Sequence, residues 1–367
     1  MTYAIELQDV TKIYRIREST PQEDRKYKFA QFVLGQSFTG KIEIKEKVVV
    51  DKLSLRVREG ETVGLLGPNG AGKSTLLEMI ATGILPDSGS IRLMGQDVIS
   101  HRHMVRELIT PIFPMFGSNA MWTARQNLEY HALLYNIPKR EMIKRIGQVL
   151  SLVGLEERAD DIVRKYSTGM MVRLTLAKGL MVDNPIYLMD EPFLGIDPGT
   201  AKEIRQFVKE ELGKRGRTIL LATHILQDVE ELCDRVVLMN EGRLVAEGTP
   251  EELKKGIKGV ERIEAEIQIQ TANAGNLVQR IQELPDVEDL AWSRLASETV
   301  EGIRLTLHTH DSRVVLPILI ETLQEEHGKT RHIRIIEPTL EDVFIHYTGK
   351  QLAGPAAPGK PGRMIGC

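Results

Sequence analysis

The segment that most constrains the fold is a glycine-rich loop between an apolar strand and a helical stretch. The loop follows the predicted strand at residues 62–66 and has the sequence Gly67-Pro68-Asn69-Gly70-Ala71-Gly72-Lys73-Ser74. Glycines let the backbone wrap closely around phosphate groups, and successive N–H groups point inward with the positive end of the following helix. We expect the Lys73 ammonium to reach the β- and γ-phosphates of a nucleotide and the Ser74 hydroxyl to ligate Mg²⁺. The loop therefore predicts a site for a nucleoside triphosphate.

A pair of adjacent carboxylates follows a second apolar strand. Residues 186–189 are predicted to form this strand, which runs directly into Asp190 and Glu191. Asp190 is placed to hold Mg²⁺, directly or through water, and Glu191 to accept a proton from an attacking water. An acidic pair at the end of a buried strand is also common without this chemistry, so its meaning depends on the other motifs.

The order of predicted elements indicates an α/β fold followed by a second unit. Strand patterns occur at residues 4–14, 48–57, 62–66, 186–189 and 218–222, and helical periodicity runs from about 125 to 182. Strands separated by helices favour a largely parallel sheet. The expected buried face of the helical stretch consists of Met142, Ile143, Ile146, Val149, Leu150 and Val153.

A different pattern begins beyond Gly259. Strand, helix, two strands, helix and strand follow one another, which is the order of a ferredoxin-like α+β unit. We place the boundary near residues 255–260 and this second domain at residues 260–349. The tail at 350–367 is rich in proline and glycine and is expected to be disordered.

Composition restricts the setting in which the chain works. Of 367 residues, 42% are hydrophobic and 27% charged, as in an ordinary globular protein, and the net charge of −3 gives no reason to expect a nucleic-acid partner. The two cysteines, Cys233 and Cys367, fit a reducing compartment rather than a disulfide framework. Neither a secretory signal nor a run of ~18 apolar residues is visible, so we expect a cytosolic chain that meets any membrane through a partner.

Three further segments narrow the class of nucleotide-binding protein. Tyr166-Ser167-Thr168-Gly169-Met170 opens a predicted helix, Gly195-Ile196-Asp197 follows the carboxylate pair, and Thr223-His224 follows another apolar strand. In this order and spacing, the motifs resemble the ABC ATPase family over about residues 4–255. The resemblance includes both Walker motifs, the signature segment, the D-loop, the switch histidine and the closing segment at 233–253.

The resemblance implies a P-loop NTPase core at residues 1–255, with a helical subdomain at about 115–182. It also implies a head-to-tail dimer that encloses two ATP molecules, each between one subunit's glycine-rich loop and the other's Ser167 and Gly169. Tyr14 matches the family's adenine-stacking aromatic, although an ordinary strand tyrosine is the alternative. The other residues expected to bind ATP are Gly67, Pro68, Asn69, Gly70, Ala71, Gly72, Lys73, Ser74, Thr75 and Asp197.

The same resemblance assigns the chemistry. Glu191, His224 and Lys73 are the expected catalytic residues, with His224 contacting the γ-phosphate and holding the attacking water. Ser74 and Asp190 are the expected ligands of Mg²⁺.

Two motifs depart from the family pattern. The signature is commonly LSGGQ, whereas Tyr166, Thr168 and Met170 replace three of its five residues here. In the Q-loop, Pro114 occupies the position expected for a glutamine that helps hold Mg²⁺ and senses the membrane partner. The nearest glutamine, Gln126, falls at a different position of the motif.

Two other segments bear on the kind of ABC protein. Residues 337–344 and Thr348-Gly349 resemble the C-terminal segment of drug-, antibiotic- and lipid-export ATPases, in which this domain is expected to support dimerisation or regulation. The insertion at 15–47 is basic and aromatic. It is expected either to lie on the membrane surface or against the membrane subunit, or to fold onto the edge of its own sheet. ATPases that export cell-surface polysaccharides also carry an insertion at this place in the chain. His308 and His310 share a strand face, but without further ligands we expect no metal site.

The sequence therefore predicts an ATP- and Mg²⁺-dependent hydrolase at the cytoplasmic face of the cell membrane. Its expected partners are a separate multi-span permease and a second ATPase subunit, taken to be another copy of the chain, and its cargo is a drug, lipid or polysaccharide. One alternative is a catalytically weak ATP-dependent switch, suggested by Pro114 and the altered signature. Another is a soluble ABC ATPase that acts on ribosomes or DNA.

Overall fold

The computed structural model describes residues 2–18, 43–114, 117–257, 261–269, 271–295, 302–309 and 311–349. They form two compact units, one up to Glu247 and one from Gly248 onward. This division falls before residues 255–260, because the helix Pro250–Gly256 packs within the second unit against its last helix. The tail at 350–367 lies outside the described residues.

The N-terminal unit is built from strands, helices and one π-helical turn. The strands are β1 (Tyr3–Glu18), β2 (Glu43–Arg58), β3 (Thr62–Leu66), β4 (Ser88–Leu93), β5 (Gln96–Asp97), β6 (Ile109–Ile112), β7 (Ile186–Asp190), β8 (Thr218–Thr223), β9 (Arg235–Asn240) and β10 (Arg243–Gly248). The helices are α1 (Lys73–Ile80), α2 (Arg102–Glu107), α3 (Ala124–Leu134), α4 (Lys139–Leu152), α5 (Thr168–Leu180), α6 (Pro198–Phe207, continued by the π-helical turn Val208–Gly213) and α7 (Leu226–Leu232).

The central sheet has six strands in the order β10-β9-β3-β8-β7-β6. Its β3–β8, β3–β9, β7–β8 and β6–β7 pairs are parallel, which confirms the predicted sheet type. Strands β3 and β8 are buried along their whole length, and this explains their continuous apolar runs. The carboxyl ends of β3, β6, β7 and β8 lie at one edge, where Leu66 pairs with Thr223 and Asp190 with Ala222.

A second sheet, β2-β1-β4-β5, is antiparallel and extends further than the sequence predicts. Strands were expected at 4–14 and 48–57, but β1 and β2 continue into both ends of the insertion at 15–47. Cross-strand pairing carries them on, with Arg15 opposite Glu46 and an ion pair of 3.1 Å between their side chains. The middle of the insertion, residues 19–42, lies outside the described residues.

Helices α3, α4 and α5 form most of the predicted helical subdomain. On α4, Met142, Ile146, Val149 and Leu150 are buried as expected. Ile143 is 65% exposed, so its assignment to the buried face was wrong. At about 100° per residue, Ile143 projects from the rim of the buried stripe, about 20° beyond Leu150.

The C-terminal unit contains α8 (Pro250–Gly256), β11 (Glu261–Gln268), α9 (Thr271–Gln282), β12 (Val287–Arg294), β13 (Gly302–Thr309), α10 (Ser312–Glu325), β14 (Lys329–Ile336) and α11 (Leu340–Thr348). Its antiparallel sheet has the order β12-β13-β11-β14, and the sequence of elements from β11 to β14 is the predicted βαββαβ. The inward side of β11 (Ile263, Ala265 and Ile267) forms a core with residues of α9 and α10. The unit therefore has a hydrophobic core of its own.

Candidate functional site

The predicted catalytic residues meet at the carboxyl edge of the parallel sheet. The glycine-rich loop follows β3, the carboxylate pair ends β7, and His224 follows β8. Because these strands are parallel and adjacent, three motifs that are distant in sequence emerge side by side. A crevice at this edge is where open α/β sheets bind ligands.

The glycine-rich loop depends on backbone conformations and spaces that favour glycine. Gly70 and Gly72 have φ angles of 83° and 100°, in the left-handed region. A Cβ at Gly67 would collide with the carbonyl oxygen of Met239, and one at Gly72 would lie 2.5 Å from the carbonyl oxygen of Val49. The loop is thus a close backbone cradle of the kind that binds phosphate.

Lys73 lies inside this cradle. Its ammonium donates to the carbonyl oxygens of Gly67, at 2.7 Å, and Pro68, at 3.2 Å. The side chain is buried, and burial lowers the pKa of Lys73, while the carboxylates of Glu191 and Asp190 oppose this shift. A phosphate in the cradle would give this ammonium an anionic partner to replace neutral carbonyls.

Asp190 carries a carboxylate oxygen that suits a cation. Its Oδ1 is buried and makes no hydrogen bond among the described residues. Burial raises the pKa of Asp190, and a hydrogen bond with the Ser74 side chain partly opposes this. A hydroxyl and a carboxylate are the oxygen ligands that Mg²⁺ prefers. Ser74 and Asp190 therefore fit the predicted metal site.

Glu191 contacts His224 and lies near Lys73, the other two expected catalytic residues. Its Oε1 lies 2.7 Å from Nδ1 of His224 and 4.0 Å from Nζ of Lys73. Its Oε2 accepts a hydrogen bond of 3.1 Å from the Thr223 hydroxyl. The backbone at Glu191 has a φ of 44°, which turns the chain sharply after the strand. Thr223 was not among the predicted site residues, although its place directly before His224 could have suggested it.

The signature segment and the D-loop are joined to each other within one chain. Ser167 caps α5 by accepting from the Met170 N–H at 3.3 Å. A Cβ on Gly169 would lie 2.7 Å from the carbonyl oxygen of Gly195, so the two backbones are in close contact.

Asp197 adds an ion pair to this contact. Its carboxylate pairs with Arg173 of α5 and caps α6 by accepting from the Thr200 N–H at 3.0 Å. The Thr200 N–H is the main cause of a lowered pKa of Asp197. These bonds tie Asp197 to the signature helix of its own chain.

Tyr14 lies on β1, in the antiparallel sheet and not at the carboxyl ends of the parallel strands. Its side chain is 36% exposed, and the Lys12 ammonium is 5.7 Å from the ring centroid. Its strand partner is Lys47 of β2. The ring is accessible to a flat ligand, as adenine stacking requires.

The two candidates for the Q-loop position differ in their surroundings. Pro114 follows β6 and lines one groove together with Asp190 and Tyr135. Gln126 instead forms a capping box at the start of α3, where its Oε1 accepts from the Thr123 N–H at 3.0 Å. Pro114 thus lines the same groove as Asp190, one of the two expected Mg²⁺ ligands, whereas Gln126 has a structural role.

Two histidines and two cysteines considered in the sequence lie outside this site. His308 lies on β13, and His310 is outside the described residues. Cys233 is buried, and Cys367 is also outside the described residues. Within the described ranges, none of the helices combines the length and apolar character needed to cross a membrane.

The sequence and the fold of this chain both match known proteins. The family described as ABC transporter matches residues 50–194, and the C-terminal domain of DrrA1-3-like ATP-binding proteins matches residues 248–348. Daunorubicin resistance ATP-binding protein DrrA3 of Streptomyces coeruleorubidus is 34% identical over 306 residues, which cover 83% of this chain and 92% of that protein. Nod factor export ATP-binding protein I of Ralstonia nicotianae is 33% identical over 309 residues, covering 84% and 91%.

A solved ATP-binding subunit of an ABC transporter has a TM-score of 0.55 with this chain at 26% identity, covering 69% of this chain and 92% of that one. The relatives named above belong to resistance and export systems, which favours a transport role over a soluble ATPase acting on ribosomes or DNA. Together with the motifs, this degree of identity over most of both chains shows that the chain belongs to the ABC transporter family, as one of its ATP-binding, ATP-hydrolysing proteins.

Proposed function

We propose that the chain powers export of a drug, lipid or polysaccharide through a separate membrane-spanning protein, using the site at the carboxyl edge of the parallel sheet. The observation that carries this proposal is that Lys73 and His224 both approach Oε1 of Glu191, at 4.0 Å and 2.7 Å. The relatives act in drug resistance and Nod factor export, which supports the direction of transport.

The chain's own residues supply distinct parts of the hydrolysis. Lys73 and the N–H groups of the cradle bind the phosphates and offset negative charge. Glu191 accepts a proton from the attacking water, and His224 fixes the carboxylate through its 2.7 Å contact. Ser74 and Asp190 would hold Mg²⁺, which when bound supplies charge stabilisation to the phosphates.

The partners follow from the incompleteness of the site in one chain. Ser167 and Gly169 start a helix whose N–H groups and hydroxyl suit a γ-phosphate, while in this chain Ser167 caps its own helix and Gly169 lies against Gly195 of the D-loop. A second subunit, taken to be another copy of this chain, would bring them to the nucleotide. A multi-span permease would hold the pair peripherally at the cytoplasmic face of the membrane. The C-terminal unit is proposed to support the dimer or regulate it.

The catalytic assignment is tested by Glu191→Gln, which keeps the shape of the side chain and removes the base. We expect kcat for ATP hydrolysis to fall by about 10²-fold or more, while ATP still binds and dimers accumulate. Glu203→Gln, on the exposed side of α6, is the matched control and should leave kcat unchanged. A parent-like rate in Glu191→Gln would show that Glu191 is not the base, and loss of ATP binding would show a structural defect.

The transport assignment is tested with the same variant. Tagged Glu191→Gln protein is incubated with ATP and membranes from the source cells, and the proteins that co-purify are identified. A multi-span membrane protein is the expected result. Ribosomal or DNA-associated proteins without a membrane protein would contradict the transport role and favour the soluble ATPase.

A further inference from the structure

The Thr223 hydroxyl has two carboxylates within reach and one proton to donate. Thr223 is fully buried at the end of β8, and its Oγ1 accepts a hydrogen bond of 3.0 Å from the Ile225 N–H. As a donor it faces Oε2 of Glu191 at 3.1 Å and Oδ2 of Asp228 at 3.4 Å. A hydroxyl carries a single hydrogen, so it serves one of these acceptors at a time. The shorter bond, to Glu191, is the one favoured here.

Asp228 is a fixed acceptor. It is 1% exposed on α7, and its Oδ1 accepts a hydrogen bond of 2.9 Å from Arg205 of α6. Arg205 is itself 5% exposed and also binds Glu231 at 2.7 Å. Its guanidinium lies over the ring of Phe193, 5.7 Å from the centroid. The ion pair with Arg205 therefore ties Asp228 of α7 to α6, so the position of its carboxylate is set by the packing of these helices.

Glu191 is held at both of its oxygens. Oε1 contacts Nδ1 of His224 at 2.7 Å, and Oε2 accepts from Thr223 at 3.1 Å. A carboxylate that must take a proton from water needs an oxygen that turns toward that water. Leaving Thr223 without an acceptor would then place an unsatisfied hydroxyl in the interior, which is costly. Asp228 removes that cost, because it offers the hydroxyl a second acceptor.

We propose that Thr223 is a positioning residue whose hydroxyl alternates between Glu191 and Asp228. Donating to Glu191, it holds the carboxylate beside His224; donating to Asp228, it leaves Oε2 of Glu191 available to the attacking water. Only the hydrogen bond changes partner, and the hydroxyl proton stays on Thr223. This inference rests on the proposed role of Glu191 as the base.

A matched pair of substitutions separates the hydroxyl from the packing of this side chain. Thr223→Val keeps both branches of the side chain and loses the hydroxyl, whereas Thr223→Ser keeps the hydroxyl and loses the methyl group. We expect Thr223→Val to lower kcat by about tenfold or more with KM for ATP within about twofold of the parent. Thr223→Ser should retain kcat within about threefold. A parent-like kcat in Thr223→Val, or equal losses in both variants, would overturn the proposal.

Asp228→Asn tests the second acceptor. The amide keeps the shape of the side chain but has a single oxygen, which Arg205 requires as its acceptor. The Thr223 hydroxyl then lacks a second acceptor, so we expect a kcat loss of about tenfold with KM for ATP retained. An unchanged kcat would overturn the alternation. Should the loss of the ion pair with Arg205 prevent folding, the Thr223 pair still decides the question.

Glu191→Gln distinguishes this inference from the proposed function. If Glu191→Gln is inactive while Thr223→Val turns over like the parent, only the role of Thr223 fails. If Glu191→Gln itself turns over like the parent, the proposed base fails and the inference with it. Thr223→Val added to Glu191→Gln should cause no further loss, because both substitutions act through the same carboxylate. A full additional loss would overturn the inference.

Discussion

At the scale of single residues, Glu191 shows how the backbone contributes to the site. Its φ of 44° is in the left-handed region, which costs a residue other than glycine roughly 1–2 kcal/mol. Such conformations persist where the surroundings determine them. Here the Glu191 N–H donates to the Ala222 carbonyl at 2.8 Å, extending the pairing of β7 and β8 by one residue. The chain then turns, and the carboxylate reaches His224.

A buried histidine outside the site gives a prediction on pH. Burial lowers the pKa of His131 to about 4, and the nearby Lys178 charge acts in the same direction. Its ring packs 4.8 Å from that of Tyr135, and its Nε2 is buried without a partner among the described residues. The folded state therefore keeps His131 neutral at a pH where the same imidazole in the unfolded chain, with a pKa of about 6.5, binds a proton.

Because the pKa of His131 is lower in the folded state than in the unfolded chain, the free energy of unfolding is unaffected by His131 above about pH 6.5. It decreases as the pH falls toward 4, by up to about 3 kcal/mol. We expect the His131 imidazole resonance in NMR to stay in its neutral position down to pH 5. In His131→Phe, which retains the aromatic contact with Tyr135, the fall in melting temperature between pH 7 and pH 5 should be smaller. Titration of His131 near pH 6.5 in the folded protein would contradict the prediction.

The sequence was enough to predict the site residues that belong to motifs. It did not predict the buried residues that pack and bond around them. Lys73, Glu191 and His224 each have a fixed place after a strand, so parallel strands were enough to bring them together. Arg205 and Asp228 are 23 residues apart on two helices, and no local pattern relates them. Their pairing depends on how α6 and α7 pack, which is a property of the folded chain alone.

At the scale of elements, the contact between the signature helix and the D-loop leaves no room for a side chain at Gly169. Gly169→Ala would put its Cβ 2.7 Å from the Gly195 carbonyl oxygen and force the two segments apart. We expect kcat for ATP hydrolysis to fall by about tenfold, since overpacking of this kind costs roughly 1–3 kcal/mol. ATP binding to the monomer, measured with a fluorescent analogue, should be unchanged because the glycine-rich loop is untouched.

Gly147→Ala is the matched control in the same subdomain. Gly147 is exposed on α4, and a Cβ there would meet no atom within 4 Å. Alanine should leave the ATPase rate unchanged and stabilise the helix by about 0.5–1 kcal/mol, seen as a higher melting temperature. A parent-like rate in Gly169→Ala would mean that the Gly195 carbonyl withdraws without consequence for catalysis.

The elements themselves were predictable where their pattern is local. The buried strands β3, β7 and β8 are short apolar runs, and each was identified. The ends of β1 and β2 were not, because charged residues there resemble a loop and only pairing across the hairpin makes them strands. Arg15 and Glu46 show this, since their ion pair joins residues 31 positions apart.

At the scale of the whole molecule, the residues of the predicted ATP site belong to the N-terminal unit, and the C-terminal unit has a separate hydrophobic core. The residues predicted to bind or hydrolyse ATP all precede Glu247, whereas the core of the C-terminal unit is formed by its own β11, β13, α9 and α10. Each unit thus has a hydrophobic core of its own, as a domain that folds independently does. The order βαββαβ made the second core predictable from sequence. The assignment of α8 to this unit was not predictable, because it depends on the packing of α8 against α11.

A chain ending at Glu247 and carrying Glu191→Gln separates binding from association. The glycine-rich loop, Asp190 and Tyr14 are all retained, so we expect ATP affinity within about twofold of the full-length variant. If the C-terminal unit supports the dimer, the ATP-dependent monomer–dimer equilibrium measured by analytical ultracentrifugation should weaken by about tenfold, equivalent to about 1.4 kcal/mol. Full-length Glu191→Gln is the control for both dimerisation and ATP affinity. Equal dimerisation with and without the unit would assign it to regulation instead, while loss of ATP binding would mean that residues after Glu247 are needed to fold the ATPase core.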